Sequence, residues 1–159
     1  MSWQPRPTDE WETPDEIFEA WNKEYQFGLD VCSTDENCKV KNHYTMKEDG
    51  LTQPWKANTC WMNPPYSNIK PWIEKALDEI DLGNTNAVVA LLPCWTDSHW
   101  FHQYIDPSRC YFYPKRISFL TKDKKTVGKA PFASLAYCFT INDVVDSTES
   151  LSSSSEDEE

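Results

Sequence analysis

Glycine is scarce: there are 4 in 159 residues. Neither G-x-x-x-x-G-K-[ST] nor G-x-G-x-x-G occurs, which excludes a P-loop and a glycine-rich dinucleotide cradle. Paired cysteines are also missing. Cys32, Cys38, Cys60, Cys94, Cys110 and Cys138 are scattered with no C-x-x-C. Together with His43, His99 and His102 they match no tetrahedral zinc spacing, so no metal site is expected. No charged-then-apolar leader opens the sequence, and no apolar run approaches the length of a membrane span. A reduced protein of the cytoplasm, with no membrane insertion, is the expectation. Basic charge is in short supply as well, with 15 Lys and Arg against 26 Asp and Glu and a net charge of −11. The excess is unevenly placed. Residues 142–159 hold seven acids and no base, so only −4 falls on residues 1–141. The end, "DSTESLSSSSEDEE", is Ser-rich, lacks apolar periodicity and reads as a disordered acidic tail.

Aromatic side chains are abundant, at 14% of residues with 8 Trp, and the length suits one domain with one core. The expected division is a polar N-terminal arm over 1–10, one domain over 11–141 and the tail over 142–159. "TPDEIFEAWNKEY" predicts a helix with Thr13 as N-cap, Pro14 in the first helical position, Glu16 completing a capping box, and Ile17, Trp21 and Tyr25 on one face. "FGLDVC" reads as a short buried strand ending at Asp30. Residues 33–59 are polar and loop-like, with "EDGL" and "TQPW" as turn signals.

The run Cys60, Trp61, Met62 then meets Asn63-Pro64-Pro65-Tyr66, where two prolines fix φ and donate no backbone hydrogen bond, so a strand ends there. Ser67 is the N-cap candidate for a following helix. Its apolar positions are Ile69, Trp72, Ile73, Ala76, Leu77 and Ile80, and Gly83 supplies the stop. "AVVALLP" (87–93), apolar throughout, predicts a central strand of a parallel sheet. "TDSHWFHQYI" predicts a helix capped by Thr96, "CYFY" and "RISFL" short strands, "TKDKKTVGKAP" a basic loop and "FASLAYCFTI" the last strand. This alternation predicts an α/β protein with a mostly parallel sheet covered by helices. Ligands of open α/β sheets sit outside the carboxyl ends of strands, where Asp30, Asn63 and Pro93 fall.

The corner has a chemistry of its own. The lone pair of an exocyclic amine such as adenine N6 is delocalised into the ring and is a poor nucleophile. The Asn63 amide oxygen and the Pro64 carbonyl can each accept one of its two hydrogens, localising the lone pair as the nitrogen attacks a methyl group. Tyr66 can stack on a base swung out of the duplex. An RNA guanine or a protein glutamine offers the same planar nitrogen, and an isolated N-P-P-Y is also a plain turn.

The ordered set "WETPDEIF", "FGLDVCS", "EDGLTQPW", "WMNPPYSNIKPWIEKA", "VVALLPCWTDSHWFH" and "KRISF", spanning about residues 11–120, resembles the phage-type DNA N6-adenine methyltransferase (Dam) family. The resemblance implies a Rossmann-like S-adenosylmethionine-dependent methyltransferase of minimal size, mostly parallel in its sheet. The implied reaction is methyl transfer to adenine N6 in duplex DNA, inside the host cell if the protein is phage-encoded. It implies Asn63, Pro64, Pro65 and Tyr66 as the catalytic motif. Thr13 and Pro14 then lie against the methionine part of the cofactor, Asp30 lies beside the cofactor, and Asp49 accepts from its adenine amine. Cys32 and Asp35 are further candidates in "DVCSTDENCKV", which lacks the glycine-rich loop of wider methyltransferases. Lys115, Arg116, Lys122, Lys124, Lys125, Lys129 and the segment "CKVKNH" are the candidate phosphate contacts. Two other readings stay open: an acidic, non-catalytic phage protein that uses the scaffold to bind a host protein, and a methyltransferase acting on RNA or on a protein amide nitrogen.

Overall fold

The computed structural model describes residues 2–3, 11–120 and 129–145. The rest of the expected arm, the tail from 146 onward, and Lys122, Lys124 and Lys125 lie outside the described residues. In chain order the elements are α1 (Asp15–Tyr25), β1 (Leu29–Asp30), β2 (Thr59–Met62), α2 (Lys70–Asp81), β3 (Ala87–Pro93), α3 (His99–Tyr104), β4 (Tyr111–Phe112) and β5 (Ser134–Phe139). No helix among the described residues is long and apolar enough to cross a membrane.

The five strands form one sheet in the order β1-β2-β3-β5-β4. β1, β2 and β3 run parallel, whereas β5 is antiparallel to both β3 and β4. The sheet is therefore mixed, which corrects the mostly parallel expectation. The physical reason lies in the connectivity: the chain leaves β3 through α3 and β4, and β5 then takes the open side of β3 and is the strand to which β4 pairs, running antiparallel to both. Every residue of β3 is buried, as befits a strand with partners on both sides and packing on both faces. Trp61 of β2 meets Phe18 of α1 at 5.3 Å between ring centroids, and α2 buries Trp72, Ile73, Ala76, Leu77 and Ile80.

Several expected caps are placed differently. α1 begins at Asp15 with Pro14 in the cap position and no side-chain cap bond, because the Thr13 hydroxyl is engaged elsewhere, as described below. α2 begins at Lys70, with Ile69 rather than Ser67 before it. The residues between belong to a turn in which the Asn68 amide donates to the Pro65 carbonyl. α3 is preceded by Ser98, not Thr96. Gly83 does stop α2, at φ 79, in the left-handed region glycine enters without penalty. "RISFL" has the inward alternation of a strand, with Ile117 and Phe119 buried, but no ladder. Its backbone partners are Glu12, through an isolated bridge to Leu120, and Ala130.

The ordered fold also passes residue 141. Residues 141–145 form a helical turn that delivers Asp143, 6% exposed, into a cluster beneath β5. The Tyr137 hydroxyl donates to it at 2.6 Å, Arg109 donates through both terminal nitrogens, and the Thr140 amide donates at 2.8 Å. Asp143, counted with the tail by composition, is a buried hub.

Candidate active site

Asn63 follows β2 directly, one residue beyond the last β2–β3 pair, Met62 with Ala90. Its amide nitrogen donates to the Trp11 carbonyl at 2.7 Å and to the Thr13 hydroxyl at 3.1 Å. A carbonyl can only accept, so these contacts fix which end of the amide is which. The opposite end, Oδ1, is buried and has no hydrogen-bond partner among the described residues. A buried acceptor left open costs free energy unless something occupies it. Thr13 thus belongs to the site by holding Asn63 and does not cap the helix, and Pro14 turns the chain into α1 immediately behind it.

Pro64 and Pro65 are buried. Tyr66 is only 5% exposed, and its hydroxyl donates to the Leu91 carbonyl at 3.1 Å. Burial, with a lesser contribution from Cys94 and Tyr113, pushes its phenol far up, so it stays neutral. The Tyr66 ring meets Phe132 and Trp95 at 5.4 and 6.2 Å, both edge-on. Phe132 in turn touches Trp11, Trp95 and Phe119. The corner is set in an aromatic cluster drawn from segments far apart in sequence. Pattern reading along the chain missed Trp95, Phe132 and the Trp11 carbonyl; the local signal available was the high tryptophan content beside "WETP" and "LLPCW".

Asp30 ends β1, next to β2, where it pairs with Trp61. It is 2% exposed, accepting from the Lys39 amide at 2.9 Å and the Cys32 amide at 3.4 Å. Burial raises its carboxyl to about 6, against the lowering effect of those two amides and of His43 and Lys39. Cys32 thus serves this carboxylate with its backbone. The Lys39 ammonium reaches Asp15 at 2.8 Å and Glu12 at 3.7 Å, tying this loop to the segment that holds Asn63. Asp35 turns outward to the His43 ring at 2.8 Å, away from the Asp30 side chain. Because the other His43 nitrogen faces the Lys41 carbonyl, both neighbours are acceptors, and the hydrogen bond the ring donates to Asp35 raises the imidazole above its ordinary value.

The Asp30 carboxyl has a measurable consequence. Its folded value lies above the unfolded one, so its neutral form stabilises fully below about pH 4, and that stability is lost as pH rises through about 6. The shift is worth about 3 kcal/mol. Urea unfolding of Asp30→Asn, whose side chain does not titrate, is expected to improve relative to wild type between about pH 4 and 6 and to hold that gain above it; a constant difference from about pH 4 to 7 refutes the burial account.

Asp49 sits at φ 60 and accepts from the Leu51 amide at 3.1 Å and the Trp3 amide at 3.1 Å. Two carboxylate oxygens offer about four acceptor sites, so capacity remains. Trp3 packs edge-on against Trp72 at 5.5 Å. A Cβ on Gly50 would lie 2.2 Å from the Val31 carbonyl, so only glycine lets this turn close on the end of β1. Ser33 Oγ and the Trp3 indole nitrogen are buried without hydrogen-bond partners among the described residues.

A mixed α/β sheet bearing Asn-Pro-Pro-Tyr at the carboxyl end of a parallel strand, with an open acceptor there and a buried acid on the neighbouring strand end, is the arrangement expected of an amino-group methyltransferase. The comparisons with known proteins give the family. The family model described as DNA N-6-adenine-methyltransferase (Dam) matches residues 3–158, and the chain belongs to that family of adenine-specific DNA methyltransferases. It is 34% identical over 119 residues to the DNA N-6-adenine-methyltransferase of Haemophilus phage HP1 (strain HP1c1), covering 72% of this chain and 68% of that protein. It is 30% identical over 95 residues to the protein of that name from Escherichia phage T1, covering 58% of this chain and 39% of that protein. A putative methyltransferase, YfdM, of Escherichia coli (strain K12) is 33% identical over 73 residues, 40% of this chain and 74% of that protein.

Proposed function

We propose that the chain methylates adenine N6 in duplex DNA with S-adenosylmethionine as donor, and that Asn63, Pro64, Pro65 and Tyr66 form the catalytic corner of a Rossmann-like domain. The observation that carries this reading is the Asn63 amide, whose nitrogen is tied to Trp11 and Thr13 while its buried oxygen has no partner among the described residues. That oxygen accepts one N6 hydrogen and the Pro64 carbonyl accepts the other. Both are strong acceptors in a preorganised site, stabilising the positive charge that develops on N6 as its lone pair forms the new N–C bond and the methyl–sulfur bond of the donor breaks, its electron pair staying on sulfur. The surplus N6 proton then leaves to solvent.

The bound cofactor supplies an electrophilic methyl group on a sulfonium. The chain's residues suited to hold it are Asp30, for a positive group, and Asp49, for an amine, with the buried Ser33 Oγ as a further polar group; Thr13, Pro14 and Cys32 are the other candidates. Lys115, Arg116 and Lys129 are proposed phosphate contacts. Nucleoside mass spectrometry of DNA from cells expressing the protein tests the reaction. N6-methyladenine is expected, and transfer confined to RNA or protein would overturn it.

Tyr66 is assigned to the wall behind the base. Tyr66→Phe removes the hydroxyl that satisfies Leu91 and is expected to cost about 1 kcal/mol of stability while keeping most turnover. Tyr66→Ala empties a ring-sized space in the core and costs about 3–5 kcal/mol, with turnover lost. If the Phe variant, still folded by circular dichroism, were as inactive as the Ala variant, the hydroxyl and not the ring would be the working part.

A further inference from the structure

Within the aromatic cluster at the corner, one ring is the most exposed. Tyr66 and Phe132 are buried, Phe119 is fully enclosed and Trp11 is half-buried, whereas Trp95 is 36% exposed. Its exposure is not that of a loose side chain. Trp95 follows β3, its ring centroid lies 6.2 Å from Tyr66 and 5.9 Å from Phe132, and both contacts are edge-to-face. Its backbone is fastened on either side: the Cys94 amide donates to the Ala133 carbonyl, the Trp95 amide to the Pro93 carbonyl, and the Ser98 amide and hydroxyl both donate to the Trp95 carbonyl. A rigid loop therefore holds a large flat ring half out of the protein, at the strand end beside the one that carries Asn63.

We propose that Trp95 is the base clamp of this site, stacking on the extruded adenine from the solvent side and holding its N6 edge toward Asn63 Oδ1 and the Pro64 carbonyl. The inference rests on the assigned reaction and extends it to a residue outside the Asn-Pro-Pro-Tyr motif. A purine presents two faces and a polar edge. The corner answers the edge, the buried Tyr66 ring has little surface left to offer, and an exposed indole supplies the flat apolar surface that stacking on single extruded bases requires.

The test separates base stacking from phosphate attraction. Binding of a short single-stranded oligodeoxyadenylate is compared by fluorescence anisotropy with an abasic oligonucleotide of the same length, for wild type, Trp95→Ala and Trp95→Phe. The wild type is expected to prefer the adenine strand by about tenfold. Trp95→Ala should bring that preference below about threefold with binding to the abasic strand unchanged, and Trp95→Phe should retain most of it. An undiminished preference in Trp95→Ala overturns the proposal, and so does an equal loss in both variants, which would mark a structural role. In methyl transfer to unmethylated plasmid DNA, Trp95→Ala should lower kcat/KM by about tenfold while S-adenosylhomocysteine binding by calorimetry stays at the wild-type value. Should the wild type fail to methylate plasmid DNA while the adenine preference falls with Trp95→Ala, the assigned reaction is overturned and the clamp stands.

Discussion

Asn63→Ala is expected to lower kcat by about 10²–10³-fold, corresponding to about 3–4 kcal/mol if its oxygen acts as one preorganised oxyanion-hole-type group. The substitution removes two things. Loss of the donor end frees the Trp11 carbonyl and the Thr13 hydroxyl, at a cost of about 1 kcal/mol of stability each. Loss of the acceptor end removes the only group in the motif whose side chain addresses N6. The two are separable with Asn63→Asp, which keeps acceptor oxygens and cannot donate to Trp11, 2.7 Å away. That variant should turn over faster than Asn63→Ala and melt no higher. Single-turnover methyl transfer, with melting and cofactor-product binding as controls, measures all three proteins. Near-normal transfer by Asn63→Ala would end the assignment.

Ending the chain after Ile141 should be far more damaging than ending it after Val145. The first truncation removes Asp143 and leaves Arg109, the Tyr137 hydroxyl and the Thr140 amide without their shared acceptor; the second removes only residues beyond that cluster. Breaking a buried pair costs about 3–5 kcal/mol, and because the Arg109 side chain is one-third exposed the lower end applies. For a domain of this size that is about 10 °C in Tm. Asp143→Ala in the full chain should reproduce the loss, and the truncation after Val145 should melt with the full chain. Equal Tm values for both truncations would show that the cluster contributes nothing.

The elements that could be read along the sequence were those specified by neighbours a few residues apart. The apolar spacing of α2 with its stop at Gly83, the all-buried run of β3 and the proline-enforced end of β2 are local matters. Thr13 was legible as a site residue only through resemblance, and its capping reading failed because a hydroxyl that suits a helix start also suits an amide fifty residues away; nothing in "ETPDE" tells the two apart. The antiparallel insertion of β5 was invisible for a similar reason. "FASLAYCFTI" has the composition of a strand in either direction, and its direction shows only in the ladders it forms with β3 and β4. Asp143 was misplaced by its company: six of the seven acids from residue 142 onward belong to the low-complexity end, and the seventh is held by an arginine thirty-four residues earlier. The Asn63 corner itself was legible as chemistry. That its oxygen is open depended on knowing where Trp11 lies.

The strand order has a temporal meaning. β5 is the last of the five strands in sequence and lies second from the edge of the sheet, between β3 and β4. Until it arrives, β3, seven residues long and apolar throughout, has one side unpaired, and β4 has no neighbour to hold it. An uncovered apolar edge of that length is a template for another chain, and closing it by a distant segment is the slow part of assembling such a sheet. During synthesis the interval runs over some forty residues, from Pro93 to Ser134. The nascent protein is therefore most prone to self-association until residues 134–139 have emerged, and its yield in a cell should respond to temperature and to chaperone supply more than its final stability alone would suggest.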